Sequence, residues 1–280
     1  MTASGSLDAF DLSGRVAVVT GASGALGGAM ATGLAAAGAS VGVLARNRER
    51  IDRRVAEIER GGGDAHGLVA DVLDRAQLEA ARDEAVERWG RIDVLVNAAG
   101  GNVAEAVLAP DADLFSLPAD AFGAVVELNF LGTLIPCQVF GPVLASTTSG
   151  DRSAAIVNIS SMTAQRAITR VGGYGAAKAA VDSLTRWLAV EAARRFGDRL
   201  RVNAIAPGFF LGEQNRRLLL EDDGTLTARG QTIVEQTPMG RFGESAELIG
   251  TLLWLCGDAS SFVTGTVIPV DGGFSAWGGV

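Results

Sequence analysis

The chain has 280 residues, of which 48% are apolar, and this suits a single α/β domain with a large core. Its 24 basic and 32 acidic residues give a net charge of −8, which argues against nucleic acid or an anionic membrane surface as a partner. The lone histidine, His66, excludes multi-histidine metal sites and is interpreted as structural. The two cysteines, Cys137 and Cys256, have no metal-binding spacing, so no metal site is predicted.

The first residues of the chain lack the basic region and the apolar run of a signal peptide. No uninterrupted apolar stretch is long enough to be predicted as a membrane span. We therefore expect a soluble, cytoplasmic protein that binds a small molecule and has neither a nucleic-acid nor a membrane partner.

Short apolar runs alternate with helical patterns along the chain, which is typical of a doubly wound α/β fold with helices on both faces of a parallel sheet. Several runs are nearly continuous in β-branched residues, as expected for strands that are covered on both sides. The predicted strands are 15–20, 40–45, 65–70, 93–98, 154–160, 201–206 and 266–271. The predicted helices are 25–37, 48–60, 74–89, 119–146, 174–196 and 244–256.

Two long segments match neither pattern. Residues 100–118 are rich in Gly, Ala and Pro, and residues 208–240 are polar with several glycines. Both follow predicted strands, so both leave the sheet at its carboxyl edge, where folds of this class bind ligands. Long loops in such a position are often functional. With no repeat and no linker, residues 1–280 are predicted to form one domain with two substrate loops.

A glycine-rich turn, "TGASGALGG" (20–28), joins the first strand to the first helix. Glycines there let the backbone approach a pyrophosphate, whose charge the helix N-terminus favours. An ordinary glycine-rich turn has the same appearance, so the motif alone does not decide between them. Two later features favour nucleotide binding. Asp71 could accept a hydrogen bond from an adenine amino group, and the small residues of "NAAG" (97–100) would let a ribose lie close.

The second strand ends in Ala45 and Arg46, where folds that select NAD place an acidic residue on the ribose 2′-hydroxyl. An arginine can neutralise a 2′-phosphate, so NADP is predicted as the preferred cofactor and NAD as the alternative. An exposed arginine at the start of a helix is the other interpretation of Arg46.

Tyr174 is the only tyrosine of the chain, and Lys178, four residues later, is the only lysine among 24 basic residues. Residues four apart on a helix share a face, so both side chains can point at one ligand. A phenol with a pKa of about 10 is a poor base near neutral pH, but a nearby ammonium stabilises its phenolate. Lysine also suits ribose hydroxyls better than the broad guanidinium of arginine does. Chance placement is the alternative, and we interpret the pair as catalytic.

Ser161 lies at the end of the fifth predicted strand, thirteen residues before Tyr174. Its hydroxyl could polarise a substrate carbonyl while Tyr174 supplies or removes the proton. The pleat of the strand is expected to turn the neighbouring Ser160 the opposite way. Asn129, within the long predicted helix, could hold a water that relays protons to Lys178, or could only satisfy local backbone groups.

Together these motifs resemble the short-chain dehydrogenase/reductase superfamily over about residues 12–273. The resemblance rests on the glycine turn, Asp71, "NAAG", "NAIAPG" (203–208) and "VDGG" (270–273). It also rests on Asn129, Ser161, Tyr174 and Lys178. It implies a Rossmann-type sheet of seven mostly parallel strands in the order 3-2-1-4-5-6-7, and hydride transfer between NAD(P) and an alcohol or carbonyl. The implied catalytic tetrad is Asn129, Ser161, Tyr174 and Lys178.

The same resemblance implies a set of cofactor contacts and an assembly. The contacts are Gly21, Ser23, Gly24, Leu26, Arg46, Asp71, Val72, Asn97, Ala98, Gly100, Tyr174, Lys178, Pro207 and Gly208. The assembly is a homotetramer that packs through the helices around 119–146 and 174–196. One position departs from the usual Thr-Gly-x-x-x-Gly-x-Gly, because Ala25 stands at the middle glycine and Gly24 one place earlier. A methyl group is tolerable there if φ is negative.

A narrower similarity points to the sugar-acid branch of mannonate oxidoreductases, or fructuronate reductases. It is carried by "NFLGT", "SSMTAQR", "APGFFLGEQNR", "TPMGRFG", "ELIGTLLWL" and "SSFVTGTVIPVDGGFSAW". A hexuronate has a carboxylate and many hydroxyls, so its pocket should hold arginines and amides. The candidate substrate residues are Asn102, Ser161, Arg166, Gln214, Asn215 and Arg216. Each of the loop residues could instead be a solvated side chain.

Other functions stay open on the sequence alone. Within the enzyme class, the substrate could be a 3-oxoacyl thioester or a different ketose, although a small arginine-lined pocket would discriminate against a long acyl chain. A cofactor-sensing protein without chemistry would need neither Tyr174 nor Lys178. We predict an oxidoreductase of a sugar acid or polyol, with fructuronate and mannonate as the substrate pair.

Overall fold

A computed structural model describes residues 8–146, 153–212 and 216–279 of the chain. Its centre is a seven-stranded sheet with the order β3-β2-β1-β4-β5-β6-β7, in which every strand pair is parallel. This is the predicted Rossmann-type fold and strand order. The strands are β1 (Val16–Thr20), β2 (Ser40–Ala45), β3 (Ala65–Val69), β4 (Val94–Asn97), β5 (Ala154–Ile159), β6 (Leu200–Pro207) and β7 (Val267–Val270).

Helices connect the strands on both faces of the sheet, as the alternating patterns predict. The predicted helices are all present, and the last of them begins as a 3-10 segment, Ser245–Leu248. The helices are α1 (Ala25–Ala36), α2 (Arg48–Arg60), α3 (Arg75–Trp89), α4 (Ala119–Val126), α5 (Gly132–Ser146), α6 (Gly172–Phe196), α7 (Arg216–Leu219), α8 (Ala228–Gln236) and α9 (Ile249–Cys256).

The apolar core has two layers, one on each face of the sheet. On one face, Met30 and Leu34 of α1 and Leu252 of α9 pack among buried strand residues. On the other face, Leu78 of α3 and Phe140 of α5 do the same. The central strands β1, β4, β5 and β6 are buried along their whole length, because helices cover both sides of a parallel sheet. The segments that follow these strands therefore start from a rigid platform.

The segment 208–240, predicted to be irregular, contains the helices α7 and α8. Thr227 caps α8, because its hydroxyl accepts a hydrogen bond from the Gly230 N–H at 3.0 Å. A Cβ at Gly230 would come within 2.2 Å of the Leu219 carbonyl oxygen, so a close crossing of the two helices requires this glycine. The prediction was wrong here because α7 is too short to show a period and a glycine weakens the pattern of α8.

The helical stretch from 119 to 146 is not uniform, because a π-helical turn, Glu127–Leu131, separates α4 from α5. The Asn129 Nδ2 donates to the Val125 carbonyl at 2.8 Å, and that carbonyl is the one the Asn129 N–H would use in an α-helix. A side chain thus competes with the backbone for this acceptor. The local widening places Asn129 in the protein interior, where it is fully buried.

The same stretch, Ala119–Ser146, is long and apolar enough to cross a membrane by length and composition, although polar residues interrupt its apolar run. Half of its most apolar 18-residue window is buried inside the protein, and its mean hydropathy is 1.5. Phe140 and Leu144 of this stretch lie in the core without exposed surface. A helix that packs in a protein core can be equally long and apolar. The burial of these two side chains therefore identifies the stretch as a core helix.

The two-layer core makes a prediction about stability. Phe140 has no exposed surface, whereas Phe115 on the 100–118 loop is 89% exposed. Phe140→Ala should lower the free energy of unfolding by about 3–5 kcal/mol, because it removes buried contacts and leaves a cavity. The control, Phe115→Ala, should change it by less than about 0.5 kcal/mol. Urea unfolding followed by tryptophan fluorescence measures both, and equal effects would contradict the described packing.

Candidate active site

The glycine-rich turn after β1 is tight because two chain segments meet there. Gly21 has a φ of 67°, and a Cβ at this position would come within 2.8 Å of the Ala98 carbonyl oxygen. A Cβ at Gly27 would come within 2.5 Å of the Gly21 carbonyl oxygen. Glycine alone fits at both positions. The turn is therefore packed directly against the segment that follows β4.

The start of α1 is suited to an anion. Gly24 is the N-cap, no side chain caps the helix, and the first turn has no acidic residue. The first N–H groups of a helix lack intrahelical partners, and together with the helix dipole they favour a negative charge such as a pyrophosphate. Ala25 is the first residue of α1 and does not have a positive φ, so its methyl group is accommodated. Ser23 and Leu26, both half-buried, lie on the same turn.

Arg46, which follows β2, lies beside Asp71, which follows β3. The Arg46 side chain is 73% exposed, and its Nη1 lies 3.6 Å from Asp71 Oδ2. Asp71 Oδ1 accepts a hydrogen bond from the Leu73 N–H at 3.0 Å, and Val72 is buried. An ion pair this exposed is weak, so Arg46 can leave Asp71 for a phosphate. The predicted adenosine-side residues therefore lie together at the carboxyl edge.

Asn97, predicted to contact the cofactor, turns its side chain into the protein instead. Its Nδ2 donates to Asn158 Oδ1 at 2.9 Å and to Cys137 Sγ at 3.2 Å, and the residue is almost fully buried. Asn97 is still part of β4, whose pleat points its side chain towards the interior. A cofactor contact of Asn97 therefore stays a prediction, as do those of Ala98 and Gly100, which are half-buried and exposed, respectively.

Pro207 and Gly208 lie at the end of β6, next to β7. The Gly208 N–H donates to the Val270 carbonyl at 3.0 Å, and a Cβ at Gly208 would come within 2.7 Å of the Asp271 Cα. These contacts join "NAIAPG" and "VDGG" at the same carboxyl edge.

Ser161, Tyr174 and Lys178 meet where β5 leads into α6. The Tyr174 phenol is hydrogen-bonded to the Ser161 side chain, and Lys178 Nζ lies 5.5 Å from the centre of the Tyr174 ring. Lys178 is buried and donates to the Ile159 carbonyl at 2.8 Å. The Ser160 hydroxyl contacts α6 at a different point, where it donates to Asp182 Oδ1 and lies 3.5 Å from the Lys178 carbonyl oxygen. Three of the four predicted catalytic residues therefore lie close together.

Burial decides the protonation states in this group. Burial raises the pKa of Tyr174, and the hydrogen bond with Ser161 opposes the rise. Burial lowers the pKa of Lys178 to about 8, and the charge of Asp182 opposes that fall. Because an ammonium loses its proton above its pKa, Lys178 is charged below about pH 8. Near neutral pH the site holds a protonated phenol beside an ammonium.

The side chain of Asn129, the fourth predicted residue, is engaged with backbone groups. Its Oδ1 accepts a hydrogen bond from the Gly101 N–H at 3.1 Å, and its Nδ2 donates to the Gly101 carbonyl at 2.7 Å. A Cβ at Gly100 would lie 2.6 Å from Asn129 Oδ1 and 3.4 Å from Lys178 Nζ. Asn129 therefore holds the segment after β4 close to Lys178. A role for Asn129 in proton relay stays a prediction.

The predicted substrate residues are distributed unevenly. Arg166 is exposed, and its Nε donates to the Ser275 carbonyl at 2.7 Å, which joins the segment after β5 to the segment after β7. Asn102 and Arg216 are exposed on the loop after β4 and at the start of α7, respectively. The remaining two candidates, Gln214 and Asn215, lie outside the described residues.

Arg170 is a candidate that the sequence analysis missed. Within the described residues it is the only non-glycine with a positive φ (75°), a costly conformation that its contacts hold. Its carbonyl accepts a hydrogen bond from the Leu108 N–H at 2.9 Å, and its Nε donates to the Leu108 carbonyl at 2.7 Å. Burial lowers the pKa of Arg229 on α8, and the positive charge of Arg170 lowers it further. No sequence pattern marks this pair, because the two arginines come from distant segments.

A phenol and an ammonium beside a turn suited to a dinucleotide can transfer a proton while a hydride is transferred. The strand order of the sheet is that of folds that bind dinucleotides. The chain belongs to the short-chain dehydrogenase/reductase superfamily. Residues 21–275 match a family of it described as enoyl-(acyl carrier protein) reductase. The oxidoreductases of this superfamily that are similar to the chain act on CH–OH groups with NAD(P).

Individual relatives are similar over nearly their whole length. An uncharacterized oxidoreductase of Bacillus subtilis, UxuB, is 44% identical over 279 residues, which cover 96% of this chain and 98% of that protein. The crystal structure of a candidate D-mannonate oxidoreductase from Haemophilus influenza with bound NAD has a TM-score of 0.87 and 40% identity, covering 97% of this chain and 99% of that one. A gluconate 5-dehydrogenase from Burkholderia cenocepacia, in complex with NADP and tartrate, has a TM-score of 0.84 and 33% identity, with coverage of 97% and 99%.

The tight glycine turn predicts a sharp effect on cofactor binding. Gly27→Ala should weaken NADPH binding by at least about tenfold, because its methyl group would displace the Gly21 carbonyl and distort the turn. Gly123 in α4 is the matched control, since a Cβ there meets nothing within 4 Å. Gly123→Ala should leave the affinity unchanged and stabilise the helix by up to about 1 kcal/mol. Fluorescence titration measures both, and equal affinities would refute the packing argument.

Proposed function

We propose that this protein is an NAD(P)-dependent oxidoreductase of a sugar acid, which interconverts fructuronate and mannonate and prefers NADP to NAD. One observation carries the proposal: Ser161, Tyr174 and Lys178 converge beside a turn suited to a dinucleotide. The substrate is suggested by the candidate D-mannonate oxidoreductase among the similar structures.

Each residue of the proposed site has a separate task. The Ser161 hydroxyl donates a hydrogen bond to the substrate carbonyl oxygen, and Tyr174 gives that oxygen its proton during reduction. In the reverse direction Tyr174 takes the proton from the alcohol, and the ammonium of Lys178 stabilises the phenolate. Bound NAD(P) supplies the hydride in one direction and accepts it in the other. The raised pKa of Tyr174 keeps the phenol protonated, which suits its role as the acid.

Lys178 would hold the ribose, and Arg46 a 2′-phosphate. The remaining cofactor contacts would be the residues of the glycine turn, Asp71 with Val72, Ala98 with Gly100, and the end of β6. The similar structures contain NAD in one case and NADP in another, so the preference for NADP rests on Arg46.

An acidic substrate is supported by the arginines near the carboxyl edge. Arg170, four residues before Tyr174, and Arg229 repel each other, and a carboxylate between them would relieve this repulsion. Arg166 and Arg216 are further candidates. The segment 208–240 would close over the substrate and exclude water before the reaction.

The proposal extends to the assembly and its location. We propose that residues 1–280 form one domain and that four chains assemble through α4, α5 and α6. Trp187 and Val190 on α6 are more than half exposed, which favours an interface on this helix. We also propose a cytoplasmic location.

The catalytic assignment predicts a large loss of activity in one variant. Tyr174→Phe should lower turnover by about 10²–10⁴-fold, because it removes only the hydroxyl that transfers the proton. Coenzyme affinity and thermal unfolding should stay close to those of the wild type. Stopped-flow absorbance at the nicotinamide band measures turnover. An active Tyr174→Phe variant would remove the tyrosine from the mechanism.

The substrate is tested by parallel oxidation of NADPH and NADH with three compounds. Fructuronate should be reduced at least about tenfold faster than fructose, which lacks the carboxylate and so loses a charge-assisted contact. NADPH should be the faster coenzyme. Turnover of a 3-oxoacyl thioester instead would favour the second candidate, a 3-oxoacyl thioester reductase, which is the activity named for a relative that is 34% identical over 262 residues. Binding of NADP with no turnover of any compound would fit a sensor.

A further inference from the structure

One buried stripe of α6 runs from the proposed catalytic lysine towards the end of the helix. It consists of Lys178, Asp182, Thr185, Ala189 and Ala192, which recur at alternating spacings of four and three residues and are all buried. Residues at this spacing share one face of a helix. This face of α6 is therefore packed inside the protein.

Alternate residues of β5 share one face of the strand. On one face they are Ala154, Ile156, Asn158 and, just beyond the strand, Ser160, and all four are buried. The first two lie in the same apolar cluster as Ala189 of α6. The contact between β5 and α6 is thus apolar towards the amino end of the strand and polar towards its carboxyl end.

Two buried hydrogen bonds cross from the polar part of β5 to α6. The Asn158 Nδ2 donates to Thr185 Oγ1 at 2.9 Å, and the Ser160 hydroxyl donates to Asp182 Oδ1. The strand residue that comes first in the chain bonds the helix residue that comes last, so strand and helix run in opposite directions along this contact. Both bonds require the same position of the helix on the strand.

A backbone group fixes the direction of the hydrogen bonds of Asn158. The Thr185 hydroxyl donates to the Val181 carbonyl at 2.8 Å, and a carbonyl oxygen can only accept. The hydroxyl proton is used there, so Thr185 accepts from the amide nitrogen of Asn158. The Asn158 Oδ1 in turn accepts from the Asn97 Nδ2 at 2.9 Å. A reversed Asn158 amide would lose both bonds, so only one arrangement satisfies this buried chain.

The acceptor of the Lys178 ammonium lies between these two bonds. Lys178 Nζ donates to the Ile159 carbonyl at 2.8 Å, and Ile159 lies between Asn158 and Ser160 in the chain. Apolar contacts have no preferred direction, whereas a hydrogen bond is lost when its partners separate or turn. A shift of α6 by one residue, about 1.5 Å along its axis, would break the bond to Thr185 and move Lys178 away from its acceptor.

We propose that Thr185 is a positioning residue for Lys178: its hydrogen bond with Asn158 fixes the position of α6 along β5 and so holds the Lys178 ammonium at the Ile159 carbonyl. Thr185 has no exposed surface, so it acts through Lys178 and not on a substrate or cofactor. The expected effect on turnover rests on the proposed function, whereas the expected effect on the position of Lys178 does not.

Because the chain has a single lysine, one signal reports on this position. Full-length protein grown with lysine labelled with ¹³C at Cε gives one lysine resonance, and its chemical shift against pH gives the pKa of Lys178. Thr185→Val keeps the shape of the side chain and removes its hydroxyl. The pKa of Lys178 should then fall by about half a unit, because a displaced ammonium loses the carbonyl that stabilises its charged form. Thr185→Ser, which restores the hydroxyl, should restore the wild-type titration.

Thr133→Val on α5 is the matched control. Thr133 is as buried as Thr185, and its hydroxyl likewise donates to the carbonyl four residues earlier, at 2.9 Å. Among the described residues it receives no side-chain hydrogen bond from a strand. Urea unfolding should show a loss of stability in both valine variants, but the Lys178 titration should move only in Thr185→Val.

An unchanged Lys178 titration in folded Thr185→Val would overturn the proposal, and so would an equal change in Thr133→Val, which would indicate general loosening. If circular dichroism shows that Thr185→Val is unfolded, Thr185→Ala replaces it with the same expected shift. Turnover by an active wild type should fall in Thr185→Val and recover in Thr185→Ser. A wild type without activity towards any of the carbonyl compounds would remove the proposed function, while the lysine signal would still decide the position of Lys178.

Discussion

The buried ammonium of Lys178 is the constraint on which the site depends. An ammonium in the interior is stable only if its donors are satisfied and a negative charge is near. Here the Ile159 carbonyl accepts from it, and the charge of Asp182 opposes the effect of burial on its pKa. These needs bring the end of β5 and the first turns of α6 together, and the same approach sets Tyr174 beside Ser161. The geometry of the proposed catalytic group is thus a consequence of how one charge is buried.

The parallel sheet provides the platform for this arrangement. All seven strands run the same way, so the segments that follow β1, β4, β5 and β6 emerge at one edge. The glycine turn at Gly21 packs against Ala98, and Asn129 holds Gly101. The proposed dinucleotide-binding turn and the proposed proton-transfer group are therefore linked by backbone contacts through the segment after β4. Movement of that segment would disturb both.

Much of the fold could be predicted from the sequence because its patterns are local. Buried β-branched runs marked the strands, and the four-residue spacing of Tyr174 and Lys178 marked a shared helix face. The segment 208–240 was predicted wrongly because its local patterns are weak: α7 is short, and α8 contains a glycine that only helix packing explains. The sequence also could not show that the Asn97 side chain follows the pleat of β4 into the interior.

The sequence by itself determined the class of fold, the glycine turn and the shared helix face of Tyr174 and Lys178, since each depends on local patterns or on spacing within one element. The tertiary structure decided which groups meet across elements. Ser160 and Asp182 are 22 residues apart, and Arg170 and Leu108 are 62 apart. Such contacts depend on how a helix seats on its sheet, a property of the whole packed core that no local spacing encodes.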